Sequence, residues 1–337
     1  MWWLSPPVMD TELRRILLAH SGGYSAAAAV VVHRGETVAS AVTGQTAFSH
    51  GFPVTPATLF DLASLTKMFV TVAALRVGPS TVDLDEPVAR WLPSLKAGEQ
   101  ITPRQLLTHT SGLPPVIDLV SLPDKESRLA ALFDTPLSTA PFDYSCVGFI
   151  VLGLLLERAT GTGLASLVHE EVIAPLGLCS TGYLPDEAHA FAATEYQPTL
   201  GRGLVSGIVH DETAWSLGGV AGNAGIFGTV GELARFGEAL RDGELLPENV
   251  MAEMTRDQLP AHVDPGFRHG LGVRLNAPFM GPLKGFGHTG FTGTSLLVSE
   301  EHELTIALLT NRVHPHRDLS DVSQLRIDVA EWASRCV

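Results

Sequence analysis

Ser64 and Lys67 stand one helical turn apart near the start of Asp61-Leu-Ala-Ser-Leu-Thr-Lys-Met-Phe-Val-Thr-Val-Ala-Ala-Leu75. Residues i and i+3 share a helical face, so a hydroxyl and an amine at this spacing can meet. The stretch after Lys67 is apolar nearly all the way round, the mark of a buried helix. Burial disfavours an ammonium ion, so the expectation is a lysine of lowered pKa, suited to take a proton from Ser64. Free N–H groups at the start of the helix could hold an oxyanion. The plainer alternative makes Ser64 an N-cap and lets Lys67 reach water along its stem.

Acyl transfer by serine also needs a proton relay and an oxyanion hole. Tyr144 precedes the apolar stretch Ser145-Cys-Val-Gly-Phe-Ile-Val-Leu-Gly-Leu-Leu-Leu156 and is a candidate relay. His288-Thr289-Gly290 ends a short predicted strand, and small residues there would let a substrate lie along the backbone. The Phe291 N–H just beyond could pair with the Ser64 N–H as an oxyanion hole. Other chemistries find less support. The glycine run Gly219 to Gly228 lacks the Gly-Lys-Ser/Thr of a phosphate loop. Thirteen histidines are present, but no His-Glu-x-x-His and no cysteine pair at ligand spacing, so neither a metal nor a cofactor is expected. His109 and His210-Asp211 are expected to brace loops around the cleft, with a Ser-His-Asp arrangement through His210 as a minor alternative. His314-Pro-His316 is expected in a solvated loop.

The elements that must position these residues can be read from periodicity. Helical spacing covers 7–20, and Ala26–His33 and Thr37–Val42 flank Arg34-Gly35-Glu36 as a hairpin. The Ser64 helix runs to about Arg76, and a short helix bracketed by prolines lies within 83–93. Thr102 with Pro103 starts another helix. Further helices lie near 122–133, 144–158 and 163–175. Past residue 200 the pattern changes: Thr229–Asp242 is an amphipathic helix, and Gly270–Leu275, Gly285–His288, Gly293–Ser299 and Leu304–Thr310 read as strands. Asp318–Cys336 closes the chain as a helix. Strands at both ends with helices between give an α+β fold, an antiparallel sheet built from both termini and flanked by helices, with an inserted all-helical lobe. Residues 1–62 and 200–337 form the sheet lobe and 63–199 the helical lobe, with the site in the cleft between them.

The order Ser-x-x-Lys at 64, Tyr-Ser-x at 144 and His-Thr-Gly at 288 resembles the serine β-lactamase and penicillin-binding protein superfamily, in its class C β-lactamase-like branch of esterases, D-amino-acid peptidases and acyltransferases. Leu106-Leu-Thr-His-Thr-Ser-Gly-Leu-Pro114, Val209-His-Asp211 and Gly219-Val-Ala-Gly-Asn-Ala-Gly-Ile-Phe-Gly228 look like the same branch, and the likeness runs from about residue 25 to 335. It implies Ser64 as the acylated nucleophile, Lys67 as its partner base and Tyr144 as the proton shuttle. His288, Thr289 and Gly290 would line the substrate, and the N–H groups of Ser64 and Phe291 would form the oxyanion hole. Either Lys67 or Tyr144 could take the first proton. One position departs from the pattern: the family usually carries Asn or Asp where Cys146 stands. An amide there would bond both the lysine and a substrate amide carbonyl, and a thiol does neither well. Cys146 therefore turns the expectation away from β-lactams and peptides, toward an ester or thioester.

Composition agrees with a core-rich enzyme. Hydrophobic residues make up 45% of 337 and charged residues 17%, below the roughly 25% of ordinary soluble domains. A net charge of −14 with no basic cluster argues against nucleic acid and anionic membranes as partners. Cys146, Cys179 and Cys336 are too few and too scattered for a disulfide framework. Met-Trp-Trp-Leu-Ser-Pro-Pro has no positive n-region and is too short for a signal peptide, so a cytoplasmic location is expected. The reading is a serine esterase acting on a small ester. Its alternatives are an acyltransferase that passes the acyl group to an amine or alcohol, a β-lactamase or D-amino-acid peptidase, and an idle relative that only binds a ligand or partner.

Overall fold

The structure, a computed structural model, describes residues 6–336. The N-terminal run weighed as a signal peptide therefore lies mostly outside the described residues. In chain order the elements begin with α1 (Pro6–Ala19), β1 (Ala26–His33), β2 (Glu36–Gly44), β3 (Phe60–Asp61) and α2 (Thr66–Arg76). Then come α3 (Pro103–Leu107), α4 (Lys125–Phe133), α5 (Cys146–Thr160), α6 (Leu164–Val168), β4 (Gly182–Tyr183), β5 (Tyr196–Gln197) and β6 (Gly203–Leu204). The last third holds α7 (Glu212–Ser216), β7 (Ile226–Gly228), α8 (Val230–Arg241), α9 (Glu248–Thr255), β8 (Arg268–His269) and β9 (Arg274–Leu275). It closes with β10 (Phe286–Thr289), β11 (Ser295–Ser299), β12 (Leu304–Thr310) and α10 (Ser323–Cys336).

The main sheet has seven strands in the order β2-β1-β12-β11-β10-β9-β8, every neighbouring pair antiparallel. The β1–β12 pairing, Ala27 opposite Thr310 through His33 opposite Leu304, is where the two ends of the chain meet. These strands read as near-continuous apolar runs because the sheet is covered on both faces. Along β1, Ala26, Ala28, Val30 and Val32 face one core while Ala27, Ala29 and Val31 face the other. The first core carries α8 and the helical region, and the second is closed by α1 and α10.

Residues 63–199 carry α2 to α6, together with the two-residue strands β4 and β5. A second small sheet, β3-β7-β4, ties the entry to α2 to the glycine-rich crossing. Helix α2 is buried all round from Thr66 to Ala74, as its composition dictates. Helix α3 opens with the expected Thr102 cap in a full capping box with Gln105. Among the described residues no single helix is long and apolar enough to cross a membrane. The one adjoining pair that reaches the length, α5 with α6 and the turn after it, is bent by 85°.

Three expectations are corrected. Gly270–Leu275 is not one strand: Gly270 N–H donates to Val273 O at 2.9 Å, and Gly272, at φ +64, turns the chain between β8 and β9. The proline-bracketed helix is only a 3₁₀ turn, Val88–Arg90. The helix near 163–175 ends at Val168 and continues as a π turn through Ile173. Helix α9 gave no signal strong enough to be assigned from the sequence.

Candidate active site

Ser64 lies in the turn Ala63–Leu65 between β3 and α2. Its hydroxyl does not cap the helix: the N-cap position falls on Leu65 and has no side-chain cap. The turn is strained, with Ala63 in the left-handed region at φ 49. Asp61, fully buried, holds it there. Oδ1 accepts the Ala63 N–H at 2.8 Å and Oδ2 accepts the His210 N–H at 2.6 Å. Burial pushes the Asp61 carboxyl up, and those N–H groups only partly offset it. From the sheet side, Thr292 Oγ1 donates to Asp61 O at 2.8 Å and Thr294 Oγ1 to Leu62 O at 3.0 Å. Gly290 permits this close approach, since a Cβ there would stand 2.6 Å from the Leu62 carbonyl.

Lys67 is completely buried. Its Nζ donates to Ser64 Oγ at 2.9 Å and to Asn223 O at 3.1 Å, and it meets Cys146 Sγ at 3.6 Å. The sequence-based expectation of a lowered lysine pKa is corrected by these surroundings. Burial favours the neutral amine, but the neighbouring Cys146 and Tyr144 side chains favour the ammonium, and the balance lies above the ordinary lysine range. Lys67 thus faces Ser64 as a hydrogen-bond donor.

Tyr144 and Cys146 sit at the head of α5, on a loop clamped by His109. His109 O accepts the Asp143 N–H at 3.0 Å and His109 Nδ1 accepts the Ser145 N–H at 3.0 Å. An Nδ1 that accepts must leave the ring proton on Nε2. The imidazole also packs 4.4 Å from the Tyr144 ring, centroid to centroid. Ser145 Oγ caps α5 by accepting the Gly148 N–H at 2.8 Å. Over the Tyr144 ring lie two cations, Lys67 Nζ at 5.1 Å and the Arg274 guanidinium at 5.3 Å.

His288 comes up from β10, fully buried, with Nδ1 donating to Thr289 O at 2.7 Å. Its Nε2 is then the acceptor, 3.5 Å from the Tyr144 hydroxyl. Burial, with Arg274 and Lys67 nearby, holds the His288 imidazole well below its usual pKa. Thr289 Oγ1 accepts from Arg274 Nη1 at 3.2 Å. Phe291, two residues on, is half exposed at 48%, with its ring stacked 5.8 Å from His210.

The structure therefore brings Ser64, Lys67, Tyr144, Cys146 and His288 together from three separate stretches of chain. His210 stands apart from them in its bonding: its Nε2 pairs with Glu195 Oε2 at 2.9 Å, and Asp211 caps α7 through the Ala214 N–H. His314 is buried, not solvated, because Nδ1 bonds Thr194 O at 2.8 Å and Nε2 accepts the Phe48 N–H at 3.0 Å. Among the described residues no group of three or more His, Cys, Asp or Glu is placed to hold a metal ion. Sequence reasoning assigned nothing to Asp61, Asn223 or Arg274. Asp61 left a signal, an acidic residue just before a turn. The Asn223 carbonyl and the Arg274 guanidinium left none, because their roles depend on what tertiary contact sets beside them.

A family model described as Beta-lactamase matches residues 13–331. A D-amino acid amidase from Ochrobactrum anthropi SV3, solved with L-phenylalanine amide, superposes with a TM-score of 0.78 at 25% identity, over 97% of this chain and 99% of that one. EstCE1, described as a hydrolase with promiscuous acyltransferase activity, shares the fold with a TM-score of 0.77 at 22% identity, over 96% and 98% of the two chains. A Salmonella enteritidis PT4 protein provisionally named as a D-alanyl-D-alanine carboxypeptidase is 29% identical over 338 residues, covering 85% of this chain and 76% of the relative. A chain matched over this much of its length, and folded as these neighbours are, belongs to the beta-lactamase family and is a serine hydrolase.

Proposed function

We propose that the protein is an esterase acting on small acyl esters through a Ser64 acyl-enzyme. The observation that carries the ester reading is the contact of Cys146 Sγ with Lys67 Nζ at 3.6 Å. A thiol fills the place beside the lysine where the family usually presents an amide, leaving the site without the donor and acceptor that would grip a substrate amide. An ester needs no such grip, because its carbonyl oxygen is held by the oxyanion hole alone.

In this reading Ser64 Oγ attacks the carbonyl carbon, and its proton passes to the Tyr144 oxygen as the Tyr144 hydroxyl proton moves to His288 Nε2, 3.5 Å away. His288 returns that proton whenever Tyr144 gives its own up. Lys67, held as an ammonium, stabilises the charge developing on Oγ rather than taking the proton. The N–H groups of Ser64 and Phe291 hold the oxyanion. Collapse of the tetrahedral intermediate breaks the bond to the leaving alkoxide, which takes the proton from Tyr144. Water, activated in turn by Tyr144, releases the acid and restores Ser64. His288 Nε2 supports the cycle by accepting from the Tyr144 hydroxyl. A second reading, acyl transfer to an amine or alcohol in place of water, draws support from the activity named for EstCE1.

The test is a rapid-mixing assay with p-nitrophenyl acetate or butyrate. A nitrophenol burst equal to the enzyme concentration is expected, and Ser64→Ala should lose at least about 10⁴-fold of the turnover with the fold intact. Retained turnover in that variant places the nucleophile elsewhere, and added amines separate hydrolysis from transfer.

A further inference from the structure

The turn that presents the Phe291 N–H is held by two guanidinium groups. Arg326, on α10, donates through Nη2 to Gly290 O at 3.1 Å and to Thr294 O at 3.0 Å. Arg312 Nε donates to Phe291 O at 2.8 Å, while its Nη1 donates to the carbonyls of Arg317 and Ser320. No carboxylate forms an ion pair with either guanidinium among the described residues. Within the turn, Gly290 N–H donates to Thr294 O at 2.8 Å and Gly293 N–H to Gly290 O at 3.1 Å. Thr310 Oγ1 closes the set on Gly293 O at 3.0 Å.

One of these bonds has a chemical consequence beyond holding the loop. The Gly290 carbonyl and the Phe291 N–H are the two ends of one resonance-delocalised peptide group. A charged donor on the carbonyl oxygen draws electron density along that group and makes its N–H a stronger donor. Arg326 is part-buried and, among the described residues, has no carboxylate in ion-pair contact, Asp321 acting on it only from a longer range. Burial pushes its pKa down only to about 10, so the guanidinium stays charged at neutral pH. Its Nε has no partner, and the hydrogen bonds it makes go to the oxyanion turn.

We infer that Arg326 is a positioning residue for the oxyanion hole, fixing the turn through the Gly290 and Thr294 carbonyls and strengthening the Phe291 N–H as a donor. The inference rests on the reading that this N–H binds the oxyanion of a Ser64 acyl-enzyme. Arg326 acts through the turn, by way of the Gly290 and Thr294 carbonyls, and not by contact with the reacting atoms. It ties the far C-terminal helix to the chemistry of residue 64.

The experiment compares wild type, Arg326→Met and Arg326→Lys with a p-nitrophenyl ester, reading the acylation rate and the acyl-carbonyl stretch by isotope-edited infrared spectroscopy. Arg326→Met is expected to acylate about tenfold more slowly, a smaller loss than the roughly 10²- to 10³-fold caused by removing a whole oxyanion donor. Its ester carbonyl should absorb at higher wavenumber, and Arg326→Lys should lie between the two. Should Arg326→Met fail to fold, Arg326→Lys carries the same readouts against wild type. A slower variant with an unmoved carbonyl stretch means that Arg326 is merely structural, and wild-type values for both readouts overturn the inference outright. A wild-type protein that forms no acyl adduct refutes the acyl-enzyme reading, and this inference falls with it.

Discussion

The two walls of the candidate site, one from α2 and the head of α5 and the other from the turn after β10, are built from different electrostatic materials. On the helical wall, Lys67 is buried among Ser64, Cys146, Tyr144 and the Asn223 carbonyl, and the loop carrying Tyr144 is clamped by the uncharged imidazole of His109. On the sheet wall, the turn after His288 is pinned by two cations, Arg312 and Arg326, and by the hydroxyls of Thr292, Thr294 and Thr310. The contrast suits their tasks in the proposed cycle. A proton relay needs groups whose charge can change, so its supports must not compete for the proton. An oxyanion hole needs donors that never change, and guanidinium groups remain protonated throughout.

Breaking the helical wall should have the larger effect. Tyr144→Phe keeps the ring that Lys67 and Arg274 approach but removes the hydroxyl that meets His288, so ester turnover should fall by about 10²- to 10³-fold. A drop of less than tenfold in steady-state assays would pass the relay to another group. A smaller and more selective change is expected from Cys146→Asn. An amide returned beside Lys67 should raise the ratio of amide to ester turnover by about tenfold, the scale set by one or two new hydrogen bonds in the transition state. An unchanged ratio would separate substrate choice from Cys146 altogether.

The last prediction leaves turnover for the effect of pH on stability. Burial, first of all, lowers His109, His269 and His288 from the ordinary 6.5, His269 to about 4. For a base depressed in the folded state, the unfolded chain binds the proton first. The stabilisation is therefore complete above pH 6.5 and is lost as the pH falls from there toward the folded values, by about 1.4 kcal/mol per pH unit for each imidazole. Chemical denaturation between pH 7 and 5 should show this loss, and His269→Phe should flatten it. A stability profile level across that range would contradict the burial of three neutral imidazoles.

The two walls also differ in how far they could be foreseen. Ser64 and Lys67 meet through helical geometry alone, so the sequence contains their contact. The strands Ala26–His33 and Leu304–Thr310 were visible because a doubly covered sheet demands unbroken apolar runs. The protonation balance at Lys67 was not visible, because it depends on Cys146, which lies 79 positions away in the chain. Arg326 shows the same limit, since its hydrogen bonds span 32 and 36 positions and nothing local marks it among the arginines of a surface helix pattern. Strands β8 and β9 were merged into one because two-residue strands carry no period. Asp61 sat in plain view beside Ser64, but its work is to hold a backbone conformation that only the fold reveals.

The central claim is that an acyl group passes through Ser64 while Lys67 holds a charge and Cys146 stays unmodified. Peptide mapping by mass spectrometry after quenching a reaction with p-nitrophenyl butyrate tests it most directly. The account predicts one butyryl group on the peptide carrying Ser64, absent from Ser64→Ala. A butyryl group on Cys146, or no adduct with any activated ester, would contradict it.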